Sequence, residues 1–172
     1  EKDRQQLYEK AAMLAQKISA NRKKQVKSFE DKVNKLLQQV GMPNARLKTM
    51  INPVELVETG ADHVEFLFDA NIPAGDSVKG QFQPLRKVAS GGELSRLMLC
   101  IKSLVAQSVD LPTMIFDEID TGISGEAARQ VGIIMKELAV KRQVICITHQ
   151  PQIAGKADAH FFVYKEIVKD LV

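Results

Sequence analysis

Two hydrophobic rhythms divide this chain. Residues 4–40 hold no Gly and no Pro, and apolar residues fall at Leu7, Ala11, Leu14 and Ile18, then at Val26, Phe29, Val33, Leu36 and Val40. Alternating intervals of three and four form a heptad seam and predict one long coiled-coil helix. The interval between Ile18 and Val26, filled by Ser-Ala-Asn-Arg-Lys-Lys-Gln, interrupts the phase, as a local unwinding of a coiled coil would. Gly41 and Pro43 end the helix. The seam requires an apolar partner. No second helix of this type follows, so the partner is expected outside these residues. Packing on the globular part of the chain is the competing reading.

Beyond residue 44 the rhythm shortens. Ala45–Val57 and His63–Ala70 predict a hairpin around the turn Glu58–Asp62, with alternation at Val64, Phe66 and Phe68. Asn71–Pro84, with Pro73, Gly75, Gly80 and Pro84, predicts a loop. Within Val88–Gln107, the residues Leu94, Leu97, Met98, Ile101, Leu104 and Val105 predict the buried stripe of a helix. Thr113–Phe116 is short and apolar, the pattern of a strand buried on both faces. A helix is expected over Glu126–Ala139, a strand over Val144–Thr148 and a last strand over Phe161–Tyr164. The fold class is α/β, in two parts: a coiled-coil segment, 1–41, and a globular part, 42–172.

Composition narrows the class without naming it. The 172 residues are 45% hydrophobic and 26% charged, ordinary for a globular domain, and the net charge of +3 is too small to argue nucleic-acid binding. No apolar run reaches the length of about 18 residues that a transmembrane helix needs. The start, EKDRQQLYEK, lacks the apolar core of a signal peptide. Cys100 and Cys146 each lie in an apolar segment without Cys or His at metal-ligand spacing. Two reduced thiols and a cytoplasmic location are expected. The cluster Arg22, Lys23, Lys24 and Lys27 reads first as a solvated basic face, and second as a track for a phosphate backbone. His63 and His160 read as surface residues.

The candidate chemistry lies at three punctuation points. Thr113–Phe116 runs into Asp117 and Glu118. Neighbours on a strand point to opposite faces, so these acids are expected to differ in role. One carboxylate suits the water shell of a Mg²⁺, and the other suits a water beside a phosphate. This is the Walker B pattern. Ser90-Gly91-Gly92-Glu93 opens the second helix, with Ser90 placed as its cap and two glycines exposing backbone N–H groups where a phosphate would be favoured. His149 follows the strand Val144–Thr148, in reach of a γ-phosphate or an attacking water. Taken singly, these are an acidic turn, a capped helix and a turn histidine. Their order, with Ser-Gly-Gly-Glu about 25 residues ahead of the Asp-Glu strand, carries the functional reading.

The order SGGE, IFDE, ITH resembles the C-terminal part of an ABC-type ATPase head. Glu93, where transporters carry Gln, and the heptad arm ahead of it resemble the SMC-like branch. Over about residues 40–165 the segments KVASGGELSRLMLCIK, IFDEIDTGISGEAARQVG and ITHQPQIAGKADAHFFV are similar to the bacterial DNA-repair members of that branch. The resemblance implies the C-terminal half of an ABC/SMC-type head, a mixed sheet with flanking helices, preceded by a coiled-coil helix. It implies ATP and Mg²⁺ as cofactors. Asp117 would support the metal, Glu118 polarise the attacking water and His149 act as the switch histidine. Ser90, Gly91, Gly92 and Glu93 would contact ATP held by the opposite subunit of a homodimer. Thr121–Ser124 stands where transporters carry the D-loop, with Ser124 replacing its Asp and Asp120 as the alternative. No G-x-x-x-x-G-K-[ST] occurs in the chain, so the phosphate cradle is expected N-terminal to residue 1, in the other half of the same head. The segment Glu166–Val172 reads as stopping short of a natural end. The implied activity is ATP hydrolysis in DNA double-strand-break repair and recombination, with DNA as partner, no membrane, and a nucleoid-associated cytoplasmic location. A DNA tether locked by ATP is the competing function. A transporter subunit is disfavoured by the arm and by Glu93.

Overall fold

A computed structural model of the chain describes residues 1–72, 80–88, 90–106 and 111–165. Pro73, Gly75 and Gln107, and the segment 166–172, lie outside the described residues. The order of elements is α1 (Lys2–Gln39), β1 (Arg46–Val57), β2 (Gly60–Asp69), β3 (Gln83–Pro84), a 3-10 turn (Leu85–Lys87), α2 (Gly91–Val105), β4 (Thr113–Phe116), α3 (Gly125–Ala139), β5 (Gln143–Cys146) and α4 (Pro151–Ala154). β1, β2 and β3 form an antiparallel sheet in that order, with Leu47 opposite Phe68 and Ile51 opposite Val64. β4 and β5 pair in parallel, Met114 opposite Val144 and Phe116 opposite Cys146. Gly60 already belongs to β2, so the hairpin turn is tighter than the spacing predicted.

The heptad seam divides into two fates. Val33, Leu37 and Val40 are buried in the main core with Leu47, Phe68, Leu97 and Ile123, and Phe29 and Leu36 pack against it. The Phe29 ring lies 5.7 Å from that of Phe66. Leu7, Leu14 and Ile18 are exposed. The lower seam therefore finds its partner in the chain's own hairpin, while the upper seam has none among the described residues. The helix ends as expected: Gly41 adopts φ 81° and Met42 N–H donates to Leu37 O at 2.9 Å, a Schellman closure.

The phase break has a use. α1 runs through it without interruption. Within it Ser19 Oγ donates to Asp62 at 2.7 Å, and Arg22 donates to Asp62 at 3.1 Å and to Thr59 O at 3.0 Å. These polar residues fasten the helix to the tip of the β1–β2 hairpin, and Arg22 leaves the basic cluster to do so. Lower down, Glu30 accepts from Thr49 N–H, while Asn34 accepts from Leu47 N–H at 2.7 Å and donates to Leu47 O. β1 is an edge strand of its sheet. Two side chains one turn apart on α1 satisfy backbone groups that the edge would otherwise leave open.

Four expectations are corrected. β4 is buried on one face only: Met114 and Phe116 are buried, whereas Ile115 is 62% exposed, and Ile145 and Ile147 are exposed beside it. The core side of this sheet is shared with α2 and α3, and nothing among the described residues covers the other side. The deepest residues of α2 are Arg96, Leu97, Leu99 and Cys100, and of the predicted stripe only Leu97 is fully buried. α2 packs on both α1 and α3, so its covered arc is wide and turned from the stripe that periodicity marks. β5 ends at Cys146, two residues early, although Ile147 N–H still donates to Phe116 O at 3.0 Å. Phe161–Tyr164 is not a strand. It is exposed, with Phe162 and Tyr164 stacked 6.0 Å apart, and no ladder partner stands beside it among the described residues.

Asp62 makes the helix–hairpin clasp pH-dependent. The Ser19 hydroxyl first, then the Arg22 guanidinium, hold its carboxyl below the usual value against the opposing effect of burial. A lowered folded-state pKa stabilises at any pH above the ordinary Asp value and loses that stabilisation as pH falls through the folded one. Urea unfolding of the native protein should therefore show stability falling below about pH 4, with part of that fall abolished in Asp62→Asn. An identical pH profile in wild type and variant would remove Asp62 from this role.

Candidate functional site

The chain leaves β4 through a tight turn. Asp117 Oδ1 accepts from Glu118 N–H at 2.9 Å, and Glu118 adopts φ 54°. It is the one non-glycine residue with positive φ among the described residues, in a region that costs a side-chain-bearing residue about 1–3 kcal/mol. The two acids are thus separated by a turn rather than by the alternation of a strand. Two further turn bonds follow, Thr121 N–H to Glu118 O and Ile123 N–H to Asp120 O, with Gly122 at φ 75°. Ile119 and Asp120 point inward, and Thr121, Gly122 and Ser124 are exposed.

α2 is fastened to this turn. Ser90 caps the helix by accepting from Glu93 N–H at 3.4 Å. One turn on, Ser95 Oγ donates to Asp117 O at 3.0 Å. Arg96, only 5% exposed, donates to Thr121 O at 2.7 Å and to Ile119 O at 3.4 Å. Burial lowers the pKa of this guanidinium, with Glu93 opposing the shift. Sequence reasoning passed over Arg96. Its only signal is a cation beside Leu97 on a face that should be apolar. The glycines fit the same contact. A Cβ at Gly92 would lie 2.9 Å from Thr121 Cβ and 3.1 Å from Thr121 O, and one at Gly91 would lie 2.8 Å from Glu118 Oε2.

The third element closes on the turn from β5. Asp120, 3% exposed, accepts from Thr148 Oγ1 at 2.5 Å and from His149 N–H at 2.9 Å, and its Oδ2 lies 3.2 Å from His149 Nδ1. Burial pushes the Asp120 carboxyl up, but the hydrogen bonds from Thr148 and His149 outweigh it and hold it below the usual range. Asp120 is therefore largely enclosed, with its Oδ2 held by Thr148 and His149. Ser124 is exposed at the start of α3, where its side chain makes no capping bond.

Asp117, Glu118, Asp120, Thr121, Ile147, Thr148 and His149 line one open cleft of about 250 Å³. The structure thus brings together the Asp-Glu pair, Thr121 and His149. Gly91 borders Glu118, while Ser90, Gly92, Glu93 and Ser124 lie outside the cleft lining. Among the described residues no group of three or more His, Cys, Asp or Glu is placed to hold a metal. Asp117 offers a single carboxylate, which fits Mg²⁺, an ion commonly held by one or two carboxylates, substrate phosphates and water. Both cysteines are free. Burial pushes the Cys100 thiol up to about 12 and the Cys146 thiol up to about 11, the latter with help from Asp120 and Asp117. Such thiols are poor nucleophiles and metal ligands. No helix among the described residues is long and apolar enough to cross a membrane.

No family model matches the chain. It is 41% identical over 163 residues to the DNA repair protein RecN of Rickettsia typhi, covering 92% of this chain and 28% of that protein. It is 37% identical over 172 residues to RecN of Bacillus subtilis, covering 91% and 29%. The chain thus spans less than a third of these curated relatives. Among solved structures, it resembles the Smc head domain with an extended coiled coil bound to the C-terminal domain of ScpA, from Pyrococcus furiosus. That match has TM-score 0.54 at 18% identity, over 77% of this chain and 30% of the other. The Smc head with a coiled coil and joint from Pyrococcus yayanosii matches at TM-score 0.55 and 18% identity, over 78% and 24%. The shared fold is that of an SMC head reached through a long helix.

The two glycines should separate in a stability measurement. In Gly92→Ala the methyl meets backbone and Cβ of Thr121, which cannot swing away, and overpacking of this kind costs about 1–3 kcal/mol. In Gly91→Ala it meets only the end of the exposed Glu118 side chain, and the urea midpoint should hardly move. Equal midpoints for the two variants would contradict the close seating of α2 on the turn.

Proposed function

We propose that this chain, RecN-like along nearly its whole length, supplies the catalytic-water side of an SMC-type ATPase head in a longer DNA-repair protein. One observation carries the reading: Asp117 and Glu118 from the end of β4, and His149 from beyond β5, converge on one cleft to which the start of α2 is fastened. ATP with Mg²⁺ supplies the electrophilic γ-phosphate. Asp117 would hold the water shell of that metal. Glu118 orients and deprotonates the attacking water. His149, whose imidazole is 74% exposed, hydrogen-bonds the γ-phosphate. No G-x-x-x-x-G-K-[ST] occurs in this sequence, which supports a cradle supplied by the other half of the head, seated on the uncovered face of Ile115, Ile145 and Ile147. Ser90, Gly91, Gly92 and Glu93, at the capped start of α2, face ATP bound to a second copy, and Thr121 and Ser124 stand on the same exposed rim. Hydrolysis then opens a homodimer that ATP had closed on DNA in the cytoplasm.

In the full-length protein Glu118→Gln should leave ATP binding intact and slow turnover by about 10²–10⁴-fold, since an amide cannot take a proton. The ATP-bound dimer should accumulate on a sizing column. Hydrolysis at the wild-type rate would take Glu118 out of the role.

Ser90 tests the trans arrangement. Ser90→Arg should bind ATP normally, form no ATP-dependent dimer and lose turnover by about 10²–10³-fold, the usual cost of a lost transition-state donor. Mixed with a protein whose cradle lysine in the other half-head is replaced, it rebuilds one intact composite site per heterodimer, and part of the activity should return. A mixture that associates yet stays inactive would place Ser90 in cis.

A further inference from the structure

We infer that Asp120 is the positioning residue for His149, and that this buried carboxylate ties the switch histidine to the turn after Walker B. The imidazole of His149 is exposed, and among the described residues the one side chain that engages it is Asp120, whose Oδ2 lies 3.2 Å from Nδ1. That same oxygen accepts from the backbone N–H of His149 and from the hydroxyl of Thr148. The Thr148 hydroxyl in turn accepts from Gln150 N–H at 3.0 Å, and Gln150 Nε2 donates to Ile123 O at 3.0 Å. Residues 148–150 are therefore pinned to both ends of the turn 120–123. A carboxylate against Nδ1 selects the tautomer that carries its proton there and fixes the ring plane, which leaves Nε2 directed away from Asp120. A side chain that points outward from an extended segment has no packing to orient it, so this contact sets its direction.

The pattern also accounts for Asp120 in the sequence. An acid two residues after Glu118 in a solvated turn has no reason to be 3% exposed with two hydrogen-bond donors and the His149 ring gathered on one oxygen. A buried carboxylate is retained where its partners need a fixed geometry. What His149 does rests on the ATPase reading. How it is held does not.

Two measurements on the full-length protein test this, one of them independent of activity. In ¹⁵N-histidine spectra at a pH that leaves the ring neutral, with the signal assigned by its loss in His149→Gln, wild-type His149 should carry its proton on Nδ1. A proton on Nε2, or an even mixture, overturns the proposal. In steady-state hydrolysis, Asp120→Asn should lower kcat by about 10- to 100-fold, the scale of a misplaced reacting group, with KM for ATP nearly unchanged. In a His149→Gln background the same substitution should cost nothing further, because the two act as one unit. Additive losses would mean that Asp120 serves the fold rather than the ring, and overturn the inference. If the wild-type protein hydrolyses no ATP, the ATPase reading fails and the tautomer alone decides for or against Asp120.

Discussion

The site depends on how one turn is held. Residues 117–124 leave β4 with a left-handed Glu118, and such a backbone persists only where its surroundings over-determine it. The buried guanidinium of Arg96 grips the carbonyls of Ile119 and Thr121 from one side, and Ser95 grips that of Asp117. Asp120 and Ile123 grip residues 148–150 on the other. The strained residue and the exposed histidine are thus fixed by the same few buried polar groups. In a low-dielectric setting such bonds are strong when made and costly when broken.

This arrangement joins three sequence-distant stretches without using side chains that would do the chemistry. Arg96 and Ser95 lie outside the cleft lining, whereas Asp117, Glu118 and His149 belong to it. Gly92 lets α2 come close enough for the grip to form. A shift of α2 would move the turn, and a shift of the turn would move residue 149. Gly91 at the start of α2, and Thr121, Gly122 and Ser124 on the turn, are exposed.

Apolar surface is exposed on α1 and on the small sheet, with different geometry. On α1 the upper seam of Leu7, Leu14 and Ile18 continues a line whose lower part is spent on the hairpin. On the small sheet, Ile115, Ile145 and Ile147 leave one face of parallel strands open. Parallel sheets are ordinarily covered on both faces. The two surfaces call for different partners: a helix for the first and a layer of structure for the second.

Local pattern determined much of this protein. The long helix and its stop at Gly41, the hairpin, the capped start of α2, β4 and α3 were all legible, because periodicity, caps and glycine act over a few residues. Asp117, Glu118 and His149, marked as candidates by order and spacing, meet at one cleft, and Ser90, marked in the same way, lies outside its lining. Tertiary structure decided the rest. Which half of the heptad seam is buried depends on the hairpin, and heptads do not record their partner. The burial of Arg96 and Asp120 arises from carbonyls and donors 23 to 29 residues away, which no local rule connects. Phe161–Tyr164 has the aromatic and β-branched residues of a strand yet pairs with nothing described, since a strand is defined by its neighbour. Residue types and spacing marked the candidate residues; only packing between distant segments determined what holds them in place.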